Sequence, residues 1–192
     1  MEHLLQHGDS DGARERDLLD GARERARRLK LMIFDVDGVM TDGTLYYSAR
    51  GEELKAFNIQ DGHGIKMLRQ YGVEAALITG RRSRAVELRA ANLGINLLYQ
   101  GAEDKREAYT ALLAQLGLPA EQSGCMGDDL LDLPLITRCG FAATVAAAPA
   151  AVRSRAHYIA RAAGGHGAVR EVCEFILDAQ GALARAIEAH LQ

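Results

Sequence analysis

Residues 31–42 read Leu-Met-Ile-Phe-Asp-Val-Asp-Gly-Val-Met-Thr-Asp. An unbroken apolar run at 31–34 stops at Asp35, and a second carboxylate, Asp37, follows just ahead of Gly38. A short apolar run of this kind fits a buried strand. It puts paired acids at the carboxyl edge of a sheet, where open α/β sheets place their ligands. Carboxylates at alternate positions can divide labour, one attacking or binding a metal and the other moving a proton.

Working outward, strand and helix patterns alternate with short links. Strands are expected at 74–78, 96–99, 124–126, 140–143 and 157–159. Helices are expected at 62–71, 83–93, 103–116, 150–155 and, as one long element, 168–191, with a lead-in helix at 14–29. This order implies an α/β fold, a three-layer Rossmann-like parallel sheet with helices on both faces. Two runs at 44–48 and 54–59 flank the turn-like Ala49-Arg50-Gly51-Glu52 and suggest a small β-hairpin flap.

The 192 residues suffice for one domain with a tail, and 48% apolar content allows a real core. A net charge of −3 offers no field for nucleic acid, and the absence of Trp argues against base-stacking platforms. The three cysteines form no Cys-x-x-Cys pair, and no apolar run is long enough to cross a membrane. A cytoplasmic protein with neither nucleic-acid nor membrane partners is the default expectation.

Four features fall at strand ends: Asp35 with Asp37, Thr79-Gly80-Arg81, Lys105 in the first turn of a helix, and Gly127-Asp128-Asp129. In a parallel sheet these ends share one edge and can converge. A hydroxyl and an ammonium suit phosphate oxygens. Acids from two separate strands, Asp35 and Asp128, suit Mg²⁺, which takes few carboxylates and keeps waters and substrate phosphate as its other ligands. An EF-hand reading fails, because Val39, Met40 and Tyr46 stand where that loop needs an acid, Gly and Glu.

In this order the motifs resemble the haloacid dehalogenase-like phosphohydrolase superfamily. Closer signals are Phe-Asn-Ile-Gln-Asp-Gly-His-Gly-Ile-Lys at 57–66, Ile-Thr-Gly-Arg at 78–81, Gly-Asp-Asp-Leu-Leu-Asp-Leu-Pro at 127–134 and Gly-Gly-His-Gly-Ala-Val-Arg-Glu at 164–171. With 34–43 they resemble its branch acting on phosphorylated keto-sugar acids. That resemblance implies Mg²⁺-dependent hydrolysis of 3-deoxy-D-manno-octulosonate 8-phosphate, feeding lipopolysaccharide synthesis. The alternatives are an N-acylneuraminate 9-phosphate substrate, or a non-catalytic oligomerisation domain of the same fold.

The resemblance also implies roles. Asp35 is the nucleophile and forms an aspartyl-phosphate; Asp37 is the acid and base. Asp35, Asp128 and the backbone carbonyl of Asp37 hold the metal, with Asp129 behind them. Thr79 and Lys105 grip the phosphoryl group. Asn58, Ile59, Gln60, Asp61, Gly62, Lys66, Arg81 and Arg89, with Asp37 and Lys105, line the substrate site. One departure stands out: His166 occupies a position where the family tail usually has Arg. The implied division is a tail and lead-in helix at 1–28, a phosphatase domain at 29–181 and a helical tail at 182–192.

Spacing adds an inference of its own. Neither 38–78 nor 82–104 has room for a separate cap domain, which needs on the order of 50 residues. The hairpin is too small to stand alone, and Leu45, Tyr46, Tyr47, Leu54 and Phe57 need a partner. A homo-oligomer is expected, with sites completed by neighbouring subunits; the resemblance implies a homotetramer.

Overall fold

The apolar run at 31–34 does become a strand, and it lies at the middle of the sheet. The computed structural model describes residues 6–191; of the tail expected at 1–28, residues 1–5 lie outside the described residues. In chain order the elements are α1 (Gln6–Ala26), β1 (Leu31–Phe34), β2 (Tyr46–Tyr47), β3 (Glu53–Leu54), α2 (Ile59–Gln70), β4 (Glu74–Thr79), α3 (Arg84–Leu93) and β5 (Leu97–Gln100). There follow α4 (Lys105–Leu116), β6 (Ser123–Met126), α5 (Leu133–Ile136), β7 (Phe141–Val145), α6 (Ala150–Arg153), β8 (Tyr158–Ala160), α7 (Ala168–Ala179) and α8 (Leu183–Glu188).

Six strands form one sheet in the order β5-β4-β1-β6-β7-β8, and every neighbouring pair is parallel. The chain builds outward from β1 to β5, then returns to β6 and builds the other way. The reversal falls between β1 and β6, the switch point at which such sheets open a ligand crevice. All four residues of β1 are buried, as a central strand covered on both faces requires. The helices α1, α2 and α7 pack on one another on one side of the sheet; α4 and α5 pack together on the other. Among the described residues no helix is long and apolar enough to cross a membrane, and no separate cap domain is present.

Four expectations need correction. The long C-terminal helix is two helices, α7 and α8, because Gly181 adopts φ +67° between them, a value that ends α-helical geometry. The hairpin strands are two residues each, paired Tyr46↔Leu54 and Tyr47↔Glu53. Ile59 belongs to no strand: Asn58 caps α2 by accepting from the backbone N–H groups of Gln60 and Asp61, so the helix starts at Ile59 and not at Gly62. The lead-in helix covers Gln6–Ala26 among the described residues, where 14–29 was expected. Ala22 and Ala26 of α1, and Ala182 and Ala186 at the other end of the chain, are buried in the core.

Candidate active site

Each of the four strand-end features reaches the same edge. Beyond β1 the chain turns sharply, with Met40 and Thr41 donating their N–H groups to the carbonyl of Val36 at 2.9 and 3.0 Å. The turn needs Gly38: its φ is +89°, and a Cβ there would lie 2.1 Å from Asp128 Oδ2. Only a residue without a side chain lets the loops after β1 and β6 approach so closely. Thr79 ends β4 and is buried. Lys105 opens α4 behind the cap Asp104, which accepts from Arg106 N at 2.8 Å.

The ammonium of Lys105, 5% exposed, is the hub. Its Nζ lies 2.8 Å from Asp35 Oδ1 and 2.6 Å from Asp132 Oδ1. Burial lowers its pKa, but the two carboxylates outweigh burial and raise it, so the lysine stays charged. Asp132 also braces the metal-facing loop, its Oδ2 accepting from Asp128 N at 2.9 Å and Asp129 N at 3.1 Å. Oxygens of Asp35, Asp128 and Asp132 all lie within 4.8 Å of one another.

Three acids around one lysine leave negative charge in excess. Burial and repulsion from Asp132 lift the Asp35 carboxyl to about 6, with Lys105 opposing. Burial, Asp35, Asp132 and Asp129 lift Asp128 to about 7. Asp128 Oδ1 is buried with no hydrogen-bond partner among the described residues. An orphaned carboxylate oxygen among like charges is the signature of a place for a cation.

Asp35, Asp37, Thr79, Arg81, Lys105, Asp128 and Asp129 line one cleft of about 180 Å³. Asp129 is exposed and caps the turn that follows it, accepting from Leu130 N at 2.7 Å. The flap closes one side. Lys55 donates to Asp37 Oδ1, and Arg81 donates to Tyr47 Oη at 2.7 Å and Glu53 Oε2 at 2.9 Å. Arg81, with Ser83 and Lys55, holds the Glu53 carboxyl down at about 2 against the effect of burial.

The other expected substrate residues gather elsewhere. Ile59, Gly62, Lys66 and Arg89 line a separate pocket of about 250 Å³ that shares no residue with the cleft. There Arg89 donates to Asn58 O at 2.8 Å and lies over the Phe57 ring. Gln60 borders a third pocket with His63 and Arg170. Asp61 is buried and turned inward, accepting from Gly167 N at 3.3 Å and Arg170 N at 2.8 Å. The 164–167 segment, which carries exposed His166, packs on the catalytic loop of its own chain through Gly165 N to Val39 O at 2.9 Å.

Sequence reasoning missed Asp132, Lys55, Glu53 and Tyr47. Asp132 had a signal: it follows Asp128 by four residues inside 127–134, a spacing that lets one acid cap the loop carrying the other. Lys55 had none.

This crevice at a switch point, with acids from β1 and β6 flanking a lysine from α4, is that of a haloacid dehalogenase-like hydrolase, and the model of that family matches residues 98–172. The chain is 49% identical over 164 residues to 3-deoxy-D-manno-octulosonate 8-phosphate phosphatase KdsC of Yersinia pestis, covering 85% of this chain and 88% of that one. The corresponding protein of Escherichia coli K12 is 47% identical over 83% of this chain and 85% of its own. The crystal structure of the Moraxella catarrhalis phosphatase in complex with magnesium, phosphate and KDO superposes with a TM-score of 0.87 at 41% identity, covering 90% of this chain and 99% of that one. The chain belongs to the 3-deoxy-D-manno-octulosonate 8-phosphate phosphatase family.

Proposed function

We infer that this protein is a Mg²⁺-dependent phosphatase that releases phosphate from 3-deoxy-D-manno-octulosonate 8-phosphate through an aspartyl-phosphate, and that the sugar acid formed enters lipopolysaccharide synthesis. The observation that carries the reading is the Asp35–Lys105–Asp128 arrangement, with its orphaned Asp128 oxygen, in a chain so similar to phosphatases of that substrate. Asp35, Asp128 and the backbone carbonyl of Asp37 would hold the ion. When bound, it supplies positive charge that offsets repulsion between carboxylate and phosphate.

The chain's own residues account for the rest. Lys105 and Thr79 orient the phosphoryl group. An Asp35 oxygen attacks phosphorus; as that bond forms, the bond to the sugar oxygen breaks and Asp37 gives it a proton. Asp37 then takes a proton from water as the water attacks phosphorus and frees Asp35. A non-catalytic role is disfavoured because Asp35, Asp37, Thr79, Lys105 and Asp128 are all present and Lys105 is already paired with the nucleophile.

The exposed apolar flap and the second cluster support a homotetramer in which one subunit's α2 end completes a neighbour's cleft. Leu54 is 63% and Ile59 82% exposed, and exposed Lys66 lines the same pocket as Arg89. Three free, buried cysteines suit a reducing cytoplasm. The test is phosphate release from the eight-carbon substrate and from N-acylneuraminate 9-phosphate, with and without Mg²⁺, alongside light scattering for subunit number. Turnover of the first compound alone, lost on chelation, is the expected result.

A further inference from the structure

We propose that Lys55, carried by the hairpin flap, is the positioning residue for proton transfer by Asp37. The inference rests on the role assigned to Asp37 above. Lys55 follows directly on β3, yet its side chain is only 1% exposed. Its ammonium donates to Asp37 Oδ1 and lies 3.3 Å from Glu53 Oε1. A lysine is buried so completely only where its charge is answered, and here two carboxylates answer it.

The geometry distinguishes the two oxygens of Asp37. Oδ1 is tied to the flap. Oδ2 is buried and has no hydrogen-bond partner among the described residues; Arg81 Nε stands off at 3.9 Å. A free carboxyl rotates and exchanges its oxygens. Gripping one fixes the other as the atom that exchanges a proton with the sugar oxygen. Glu53 matters as well: it lies beside Lys55 and accepts from Arg81 at 2.9 Å, so the cations around Asp37 are offset by an acid. Lys55 then orients Asp37 without imposing an unbalanced positive field on a group that must carry a proton. The flap thereby becomes part of the proton-transfer apparatus of its own subunit. In the step concerned, the Asp35–phosphorus bond forms, the phosphorus–sugar oxygen bond breaks, and the Asp37 proton moves to that oxygen.

The test compares leaving groups. The value of kcat/KM covers events up to departure of the leaving group. A sugar alkoxide needs a proton to leave, whereas p-nitrophenolate does not. In Lys55→Met, kcat/KM for the sugar-acid phosphate should fall about 100-fold, the scale of a misplaced catalytic group, and for p-nitrophenyl phosphate less than about 5-fold. Lys55→Arg should recover much of the selective loss, and Asp37→Asn should show the same selectivity as Lys55→Met. Should Lys55→Met not fold, Lys55→Gln carries the same comparison. Equal losses on both substrates, no loss on either, or an Arg variant no better than Met would overturn the proposal. If the parent itself fails to turn over the sugar-acid phosphate, the functional reading fails; if the parent is active and only the selectivity is missing, this inference alone fails.

Discussion

The cleft around Lys105 and the region formed by the flap and the start of α2 are built in opposite ways. In the first, the bracing comes from within one chain: Lys105 joins Asp35 to Asp132, and Asp132 ties down the loop that carries Asp128. In the second, apolar side chains face outward, with Tyr47, Leu54 and Ile59 all exposed, and Lys66 and Arg89 line a pocket remote from the chemistry. The first region draws on one chain alone; under the proposed homotetramer the second is finished by a neighbour. Reaction chemistry should therefore be a property of the chain, and substrate recognition in part a property of the assembly. Variants in the first region, and at Lys55, which the flap sends to Asp37, should act on the chemical step; variants at the exposed residues of the second region should act on KM.

The sharpest way to break that division is Asp35→Asn. It should lower kcat at least about 10³-fold, because the attacking oxygen is gone and no neighbouring group replaces it. It should also stabilise the metal-free protein. Asp35 sits among like charges with its carboxyl raised to about 6, so at pH 7.5 its charge strains the folded state. Activity assays and thermal melts of one preparation test both halves. A variant that retained activity would remove the aspartyl-phosphate from the account. Lys105→Met should do the reverse for stability. Removing the cation leaves Asp35 and Asp132 buried and unanswered, a change worth about 3–5 kcal/mol, with kcat down about 10²-fold or more. Denaturant melts should show the destabilisation shrinking toward pH 5, where Asp35, its carboxyl raised to about 6, takes up a proton.

These two variants probe the part of the molecule that sequence made readable. Asp35, Thr79, Lys105 and Asp128 could be brought together on paper because strand ends of a parallel sheet converge whatever the side chains do. Asp132 was only half legible: its four-residue spacing from Asp128 allows the cap it makes, but nothing in that spacing says that it also shares Lys105. Lys55 is harder still. Its partner Asp37 is distant in sequence, and only the fold of the flap brings them together. The start of α2 was misread for another reason. Ile59 favours a strand by its β-branch, but the Asn58 cap overrides that preference. The break between α7 and α8 was signalled by Gly181 and hidden by the helix-forming residues around it.

Metal binding sharpens the comparison from the side of charge. Asp35 and Asp128 have carboxyls raised to about 6 and about 7. The folded metal-free protein thus binds protons more tightly than the unfolded chain. Stability from these groups is present below the unfolded value near 4 and is lost as pH rises through 6 and 7. A divalent cation replaces those protons. The rise in melting temperature on adding Mg²⁺ should therefore be small near pH 5.5 and several degrees larger near pH 8. A shift independent of pH would place the ion away from these acids.

In the second region, Leu54→Asp should dissociate the oligomer and raise KM about 10-fold at nearly constant single-turnover rate, read by light scattering and kinetics. Loss of kcat without dissociation would instead assign the flap to the cleft alone.

The smallest effect is expected at His166, which borders both regions: its segment packs on the catalytic loop through Gly165, and its charge reaches Asp61 at the start of α2. The side chain is exposed. If this tail meets the sugar acid in a neighbouring subunit, a guanidinium in its place should hold the anionic substrate more firmly. KM of His166→Arg should then be lower than that of the parent by less than about 5-fold, a single screened charge contact being worth under about 1 kcal/mol. Identical KM values for parent and variant would place the tail outside the substrate site and leave recognition to Arg81, Lys66 and Arg89.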